Sequence, residues 1–152
     1  MKLYQHILLL LLIPWLLSAV SRDGRSTGTL RFQANGVLYT ADSTHARGYA
    51  VKQTSMAYIN GASNDMVIGI EWQGMKGPGI YAINTRAGKA EFSINHKSYL
   101  PKQADDYLKI TVRAIKQQGA FLLLSGSFEG QLQDRAGNKL KITAGSFETI
   151  SL

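Results

Sequence analysis

The sequence predicts an all-β protein: an antiparallel β-sandwich or flattened barrel of about eight to ten strands, preceded by a signal-peptide helix. Fifteen glycines and seven tyrosines accompany many Thr, Ile and Val residues, a composition typical of strands and tight turns. Short apolar stretches alternate with polar residues and are separated by turn signals. After the leader, no segment has helical periodicity over a useful length. One domain is therefore expected over residues 29–152.

Residues 1–21 have the pattern of a secretory signal peptide. Lys2 provides a basic start, and residues 7–17 form an apolar segment too short to span a bilayer. Ala19-Val20-Ser21 fits a cleavage site for signal peptidase. We expect cleavage before Arg22, which predicts that the protein is exported.

The absence of cysteine limits how the exported protein is anchored. It has no lipobox thiol for a lipid anchor and no disulfide, so its core alone must stabilise the roughly 130 residues that remain. We expect a periplasmic or secreted protein with no stable membrane anchor after cleavage. A retained anchor is the alternative, although Pro14 interrupts the apolar segment, and cleavage after Ala19 is the second choice of site.

The domain begins with a flexible polar lead-in at residues 22–28, followed by a hairpin. Residues 30–34 and 37–40 flank Asn35-Gly36, the pair preferred in a type I′ turn. A turn is also expected at residues 60–65. The further strands predicted are 55–60, 66–72, 80–83, 90–94, 107–115, 120–133 and 139–150, with 41–53 and 95–106 left unassigned.

Two local patterns predict how the last hairpin is built. Leu140 and Phe147 have opposite parity on one strand, so a bulge at Gly145 is needed to turn both side chains inward. A three-residue loop at 135–137, with Gly137 in the left-handed conformation, would place Leu132 opposite Leu140.

Five short motifs carry a resemblance to a known family. They are Phe32-x-Ala34-Asn35-Gly36, Gly79-Ile80-Tyr81, Leu108-Lys109-Ile110-Thr111, Ser125-Gly126-Ser127-Phe128 and Ile142-Thr143-Ala144-Gly145-Ser146-Phe147. In this order the chain resembles a family of small exported proteins of uncharacterised function, typical of the Bacteroidota, many of which are described as lipoproteins. The resemblance implies an antiparallel β-sandwich outside the cytoplasm and no known reaction. This chain departs from the lipoprotein members in lacking the lipobox cysteine.

The motifs of the common enzyme classes are absent from the sequence. It contains no G-x-S-x-G, no H-E-x-x-H, no phosphate-binding loop and no calcium loop. After the leader, the histidines are His45 and His96, far apart and without a cysteine to complete a zinc site. No metal and no cofactor are predicted.

Carboxylates are the remaining candidates for catalysis, since glycoside hydrolysis needs only two of them. Asp105 and Asp106 are adjacent, but they precede a strand, where aspartate commonly ends a turn. Glu71 and Glu91 point away from the apolar faces of their strands, which favours surface charges over a catalytic pair.

The net charge of +7 allows attraction to anionic partners. The basic residues are spread singly along the sequence, however, and this favours a role in solubility. Export further disfavours nucleic acid as a partner.

We expect a binding site on the loops that a rigid scaffold carries. The candidate ligand-binding residues are His96, Lys97, Tyr99 and Lys102, which combine an aromatic ring and cations around Pro101. The glycine-rich residues 74–79 are a second candidate, and Tyr49 and Tyr58 are rings suited to stacking on a sugar.

The sequence favours a non-enzymatic binding or interaction module of the cell envelope over an enzyme. Its partner would be an envelope glycan, lipid or protein, and the oligomeric state stays open. The alternative is a small glycan-directed hydrolase that uses paired carboxylates.

Overall fold

Alternating apolar and polar side chains fold this chain into antiparallel strands, as the sequence predicts. The computed structural model describes residues 27–152, so the predicted leader (1–21) and residues 22–26 of the lead-in lie outside the described residues. The described part is all-β and contains no helix. In particular, none of its segments is a helix long and apolar enough to cross a membrane.

Eleven strands are present in the described residues, slightly more than expected, because the unassigned segments 41–53 and 95–106 each contain a short strand. They are β1 (Thr27–Ala34), β2 (Val37–Thr40), β3 (Arg47–Val51), β4 (Met56–Ser63), β5 (Met66–Gln73), β6 (Gly79–Ile83), β7 (Lys89–Ile94), β8 (Lys97–Tyr99), β9 (Tyr107–Gln118), β10 (Phe121–Gln133) and β11 (Lys139–Ser151).

Strand β10 connects the two layers of the sandwich. One of its edges pairs with β3 through residues 121–123 and then with β11 through residues 125–133. Its other edge pairs with β9, which in turn pairs with β6. The path β2-β1-β11-β10-β3-β4-β5-β7-β8 is open, with β2 and β8 at its ends, which favours the sandwich over the flattened barrel.

Three phenylalanine rings mark where the layers meet. The ring centroids of Phe32 on β1 and Phe92 on β7 lie 5.3 Å apart, and Phe128 on β10 contacts both rings. On β5 the predicted face is confirmed, since Met66, Ile68, Ile70 and Trp72 are all buried. One continuous hydrophobic core therefore lies between the layers.

The predicted turn chemistry of the two outer hairpins is confirmed. Asn35 and Gly36 both have positive φ, as a type I′ turn requires, and Ala34 pairs with Val37. In the last hairpin Gly137 has a φ of 86° and Leu132 lies opposite Leu140.

The bulge in β11 is also confirmed, and it is built from two neighbouring residues. The pairing shifts from Phe128 opposite Gly145 to Gly130 opposite Ile142, which leaves one extra residue on β11. Ala144, with a φ of 51°, points outward, and Phe147 becomes buried. Gly145 is required because a Cβ there would lie 2.3 Å from the carbonyl oxygen of Phe128.

The structure differs from the sequence-based expectation, or adds to it, at four places. The turn expected at 60–65 is only Asn64-Asp65, because β4 continues through Gly61, over which Leu30 and Ala41 pack. Residues 41–53 contain strand β3, and residues 95–106 contain strand β8. In addition, β1 begins at Thr27, inside the predicted lead-in, since it pairs there with the end of β11.

Candidate functional site: a cleft on the outer face of β4, β5 and β7

The cross-strand register places polar side chains in two rows on the outer face of one layer. In the first row Tyr58 lies opposite Glu71, which lies opposite Lys89. In the second row Asn60 lies opposite Gly69, which lies opposite Glu91. Neighbouring rows on one face of a sheet are close enough for long side chains to interact, so these residues form one surface.

This surface is the floor of an open cleft with a volume of about 440 Å³. The turn between β6 and β7 contributes Asn84 and Gly88 to its walls, and Leu100 and Pro101 close another side. The cleft is therefore built from four separate parts of the chain.

Gly69 determines the depth of the cleft. An added Cβ at this position would meet only the Oδ1 atom of Asn60, at the ordinary distance of 3.7 Å. The position thus has space for a side chain that the sequence does not supply. A glycine inside a strand weakens it, and such a position often marks the close approach of a ligand or another backbone.

Tyr58 presents an aromatic ring in a fixed orientation at the cleft. Its ring stacks on that of Tyr49 with centroids 5.2 Å apart, and Tyr49 makes an edge-to-face contact with Phe121. The two tyrosines lie directly opposite each other on β3 and β4. Stacking of this kind limits the freedom of the ring before any ligand binds.

The two carboxylates of the cleft each have a protein partner. Lys89 Nζ lies 3.9 Å from Glu71 Oε1, and the Ser98 hydroxyl donates a 2.7 Å hydrogen bond to Glu91 Oε1. Both point outward, as the sequence indicates. The sequence did not predict that Glu71 and Glu91 share a cleft. The local signal for a cleft was Gly69, a residue without a side chain at an outward-facing position of the strand.

The adjacent aspartates have structural contacts, in agreement with the turn-ending interpretation. Asp106 is fully buried, and its Oδ2 accepts hydrogen bonds from the backbone N–H groups of Lys102 and Gln103 at 2.8 and 2.9 Å. Asp105 forms an exposed ion pair with Lys139, whose hydrogen bond lowers the pKa of the Asp105 carboxyl.

The four predicted site residues do not converge on one point. His96 lies in the two-residue turn before β8, with a φ of 65°. Lys97 and Tyr99 line a cavity of about 270 Å³ between β8 and the opposite end strand, β2. The Lys102 Nζ donates a 3.1 Å hydrogen bond to the carbonyl oxygen of Asp134.

Lys97 and Lys102 do approach the same residue. The hydrogen bond from the Asn138 side chain is the largest cause that lowers the pKa of the Asp134 carboxyl, and the positive charge of Lys97 makes the smallest contribution. The structure therefore brings these two lysines to the β10–β11 loop, apart from the cleft.

The other candidates have local roles. The hydroxyl of Tyr81 donates a 2.6 Å hydrogen bond to the Gly77 carbonyl, which fixes the glycine-rich segment 74–79. His45 lies 3.9 Å from an Asp42 carboxylate oxygen. Within residues 27–152, no group of three or more His, Asp or Glu side chains is placed to bind a metal ion.

Comparison with known proteins identifies no relative for this chain. No family model matches it, and neither a curated protein nor a solved structure does. The resemblance to exported proteins of the Bacteroidota therefore stays a prediction from the sequence motifs.

Proposed function

We propose that this chain is a non-enzymatic saccharide-binding module of the cell envelope and that the cleft over Gly69 is its binding site. The observation that carries the proposal is the combination of an oriented tyrosine ring with amide and carboxylate groups around an open floor. Tyrosine rings pack against the apolar face of a pyranose, and the polar groups bind its hydroxyls.

The charges of the cleft narrow the class of saccharide. Among the described residues that line the cleft, Glu71 and Glu91 are accompanied by a single lysine, Lys89, so the local charge is negative although the whole chain is basic. A negative surface repels uronic acids and sulfated sugars. The ligand class that fits is a neutral or amino saccharide.

The envelope location is part of the same proposal. It rests on the signal-peptide pattern of residues 1–21 and on the resemblance to exported proteins. The solvent-facing cleft suits capture of a polymer presented outside the cytoplasm.

The test fills the floor of the cleft without disturbing the fold. Gly69→Val adds a β-branched side chain where space exists and where strands favour such residues. We expect it to fold with unchanged or higher stability and to abolish binding on a glycan array. Gln73→Val is the matched control, because Gln73 is exposed on the same strand but does not line the cleft.

The array separates the outcomes. Capture of a neutral or amino saccharide by wild type and Gln73→Val, lost in Gly69→Val and Tyr58→Ala, supports the proposal. Capture that survives Gly69→Val, or no capture of any glycan, overturns it.

The hydrolase remains a second candidate because Glu71 and Glu91 line the same cleft. A hydrolase would release new reducing ends from the captured glycan, and the release would fall in Glu71→Gln and Glu91→Gln. Such a result would replace the non-enzymatic proposal, and intact glycan after prolonged incubation would exclude the hydrolase.

A further inference from the structure

A second concave surface lies on the outer face of the other layer, formed by β1, β2, β9, β10 and β11. Its cavity volume is about 720 Å³. We call it the arginine trough and define it by Thr29, Arg31, Arg113, Ser125, Ser146 and Glu148, all of which line it. It shares no lining residue with the saccharide cleft, so an inference drawn from it does not rest on the proposed function.

The register explains why the trough is open at its centre. Ser146 on β11 lies between Arg31 on β1 and Ser127 on β10, and Glu148 lies between Thr29 and Ser125. The central strands therefore carry short hydroxyl side chains at Ser125, Ser127 and Ser146, next to Glu148, whereas the two arginines stand on the strands at the sides. Serine hydroxyls on the floor are available as hydrogen-bond donors.

Two arginines face this floor from opposite sides. Arg31 is on β1, and its Nε donates a long hydrogen bond of 3.4 Å to Ser146 Oγ. Arg113 is on β9, directly after the buried Val112, and is exposed. The two arginines are far apart in the sequence and line the same trough because β1 and β9 lie on either side of the β10–β11 pair.

The arginines of the trough are not held in ion pairs. Among the described residues, neither Arg31 nor Arg113 forms an ion pair, and the Arg113 guanidinium makes no hydrogen bond. Glu148 lines the trough too, yet it forms no ion pair in residues 27–152. Two guanidinium groups and a carboxylate therefore face the same solvent-filled space.

We propose that the arginine trough binds a phosphate or sulfate ester. The planar guanidinium presents paired donors that match two oxygens of a tetrahedral oxyanion, and the serines supply further donors. Glu148 determines which charged group the ligand carries beside the phosphate or sulfate, because its carboxylate repels a second negative group and attracts a cationic one. A zwitterionic phosphate ester, such as O-phosphoethanolamine, fits this arrangement of charges better than inorganic phosphate does.

The experiment titrates the protein with inorganic phosphate and with O-phosphoethanolamine at constant ionic strength, with backbone amide NMR shifts as the readout. Arg113→Gln removes a trough arginine, and Arg86→Gln removes the same charge from the exposed turn between β6 and β7. We expect saturable shifts at residues 125 and 146, weakened about 10-fold or more by Arg113→Gln, since a hydrogen bond to a charged group contributes that much. Arg86→Gln should bind as wild type does.

For Glu148→Gln we expect the opposite effect on phosphate binding from that of Arg113→Gln. It should strengthen binding of inorganic phosphate several-fold and remove the preference for O-phosphoethanolamine. Equal weakening by Arg113→Gln and Arg86→Gln would mean general charge attraction and would overturn the proposal, as would the absence of saturable shifts at millimolar ligand.

A separate experiment distinguishes a lipid headgroup from a soluble ester as the source of the ligand. Phosphatidylcholine vesicles with and without phosphatidylethanolamine are sedimented with wild type and Arg113→Gln. Arginine-dependent sedimentation with either kind of vesicle assigns a lipid headgroup, whereas binding of the free ester alone assigns a soluble ligand.

Discussion

Gln133 donates a 3.0 Å hydrogen bond from its side-chain amide to the Oδ1 of Asp106, and both residues are buried. The same carboxylate accepts two backbone N–H groups through Oδ2. One side chain thereby attaches the segment before β9 to the end of β10, beside the backbone bridge between Leu100 and Gln133. A buried carboxylate with three donors is a structural group, since every donor loses its partner if the carboxylate is removed.

Asp106→Ala is therefore expected to lower the free energy of unfolding by about 3 kcal/mol, because it strands several buried donors. Chemical denaturation followed by the fluorescence of Trp72 measures the loss. Asp105→Ala is the control, because the Asp105 carboxylate is exposed and forms its ion pair with Lys139. A similar loss in both variants would contradict the structural role of Asp106.

Neighbouring substitutions in the β11 bulge should change stability in opposite directions. Ala144→Gly relieves a left-handed conformation that costs an alanine about 1 kcal/mol, so the free energy of unfolding should rise by up to that amount. Gly145→Ala forces a Cβ against the Phe128 carbonyl and should cost about 2 kcal/mol or more. Thermal unfolding of both variants tests this, and a stabilising Gly145→Ala would refute the close packing.

Acid should loosen the loop between β10 and β11. The pKa of Asp134 is lowered in the folded protein, chiefly by its hydrogen bond with the Asn138 side chain. A lowered carboxyl pKa stabilises the fold above the unfolded value near 4, and this contribution is lost as the pH falls through the folded pKa. The unfolding midpoint of wild type should fall more steeply below about pH 4 than that of Asp134→Asn. Parallel profiles would exclude the contribution of Asp134.

Alanine substitutions of the sequence-predicted loop distinguish it from the cleft. Lys97, Tyr99 and Lys102 do not line the cleft, so their replacement should leave saccharide capture unchanged, whereas Tyr58→Ala should reduce it. The glycan array used for Gly69→Val is the measurement. Loss of capture in Lys97→Ala or Tyr99→Ala would assign binding to the cavity between β2 and β8.

The proposed export and cleavage predict one defined N-terminus. The intact mass of protein recovered outside the cytoplasm should correspond to a chain that begins at Arg22, or at Val20 if cleavage follows Ala19. An exported protein that retains Met1 would make the leader a membrane anchor.

Local signals explain which parts of this fold were predictable from the sequence. Asn35-Gly36, the Gly137 loop and the parity change before Phe147 each depend on neighbouring residues, and each prediction is confirmed. The β8 hairpin was missed because its turn, Asn95-His96, has two non-glycine residues with positive φ. Histidine is an uncommon residue in such a turn and gave no turn signal.

The two surfaces depend on strand order, which periodicity does not encode. Glu71 and Glu91 share a cleft because β5 pairs with β7 and skips β6, the next strand in the chain. Arg31 and Arg113 face one trough because β1 and β9 lie on either side of the β10–β11 pair. The spread of single basic residues along the sequence therefore gave no indication of the trough.

The pairing of β1 with β11 has a consequence for when this protein folds. The first described strand pairs with its long partner at residues 142–151, and strand pairing in residues 27–152 connects the layers through β10. Such non-local pairing makes folding slow, because the chain must close large loops before the pairing stabilises it. During synthesis, β1 therefore lacks this partner until residues 142–151 have been made, so the complete fold forms late. If the leader directs export as proposed, this delay favours the unfolded state that passage through a membrane channel requires.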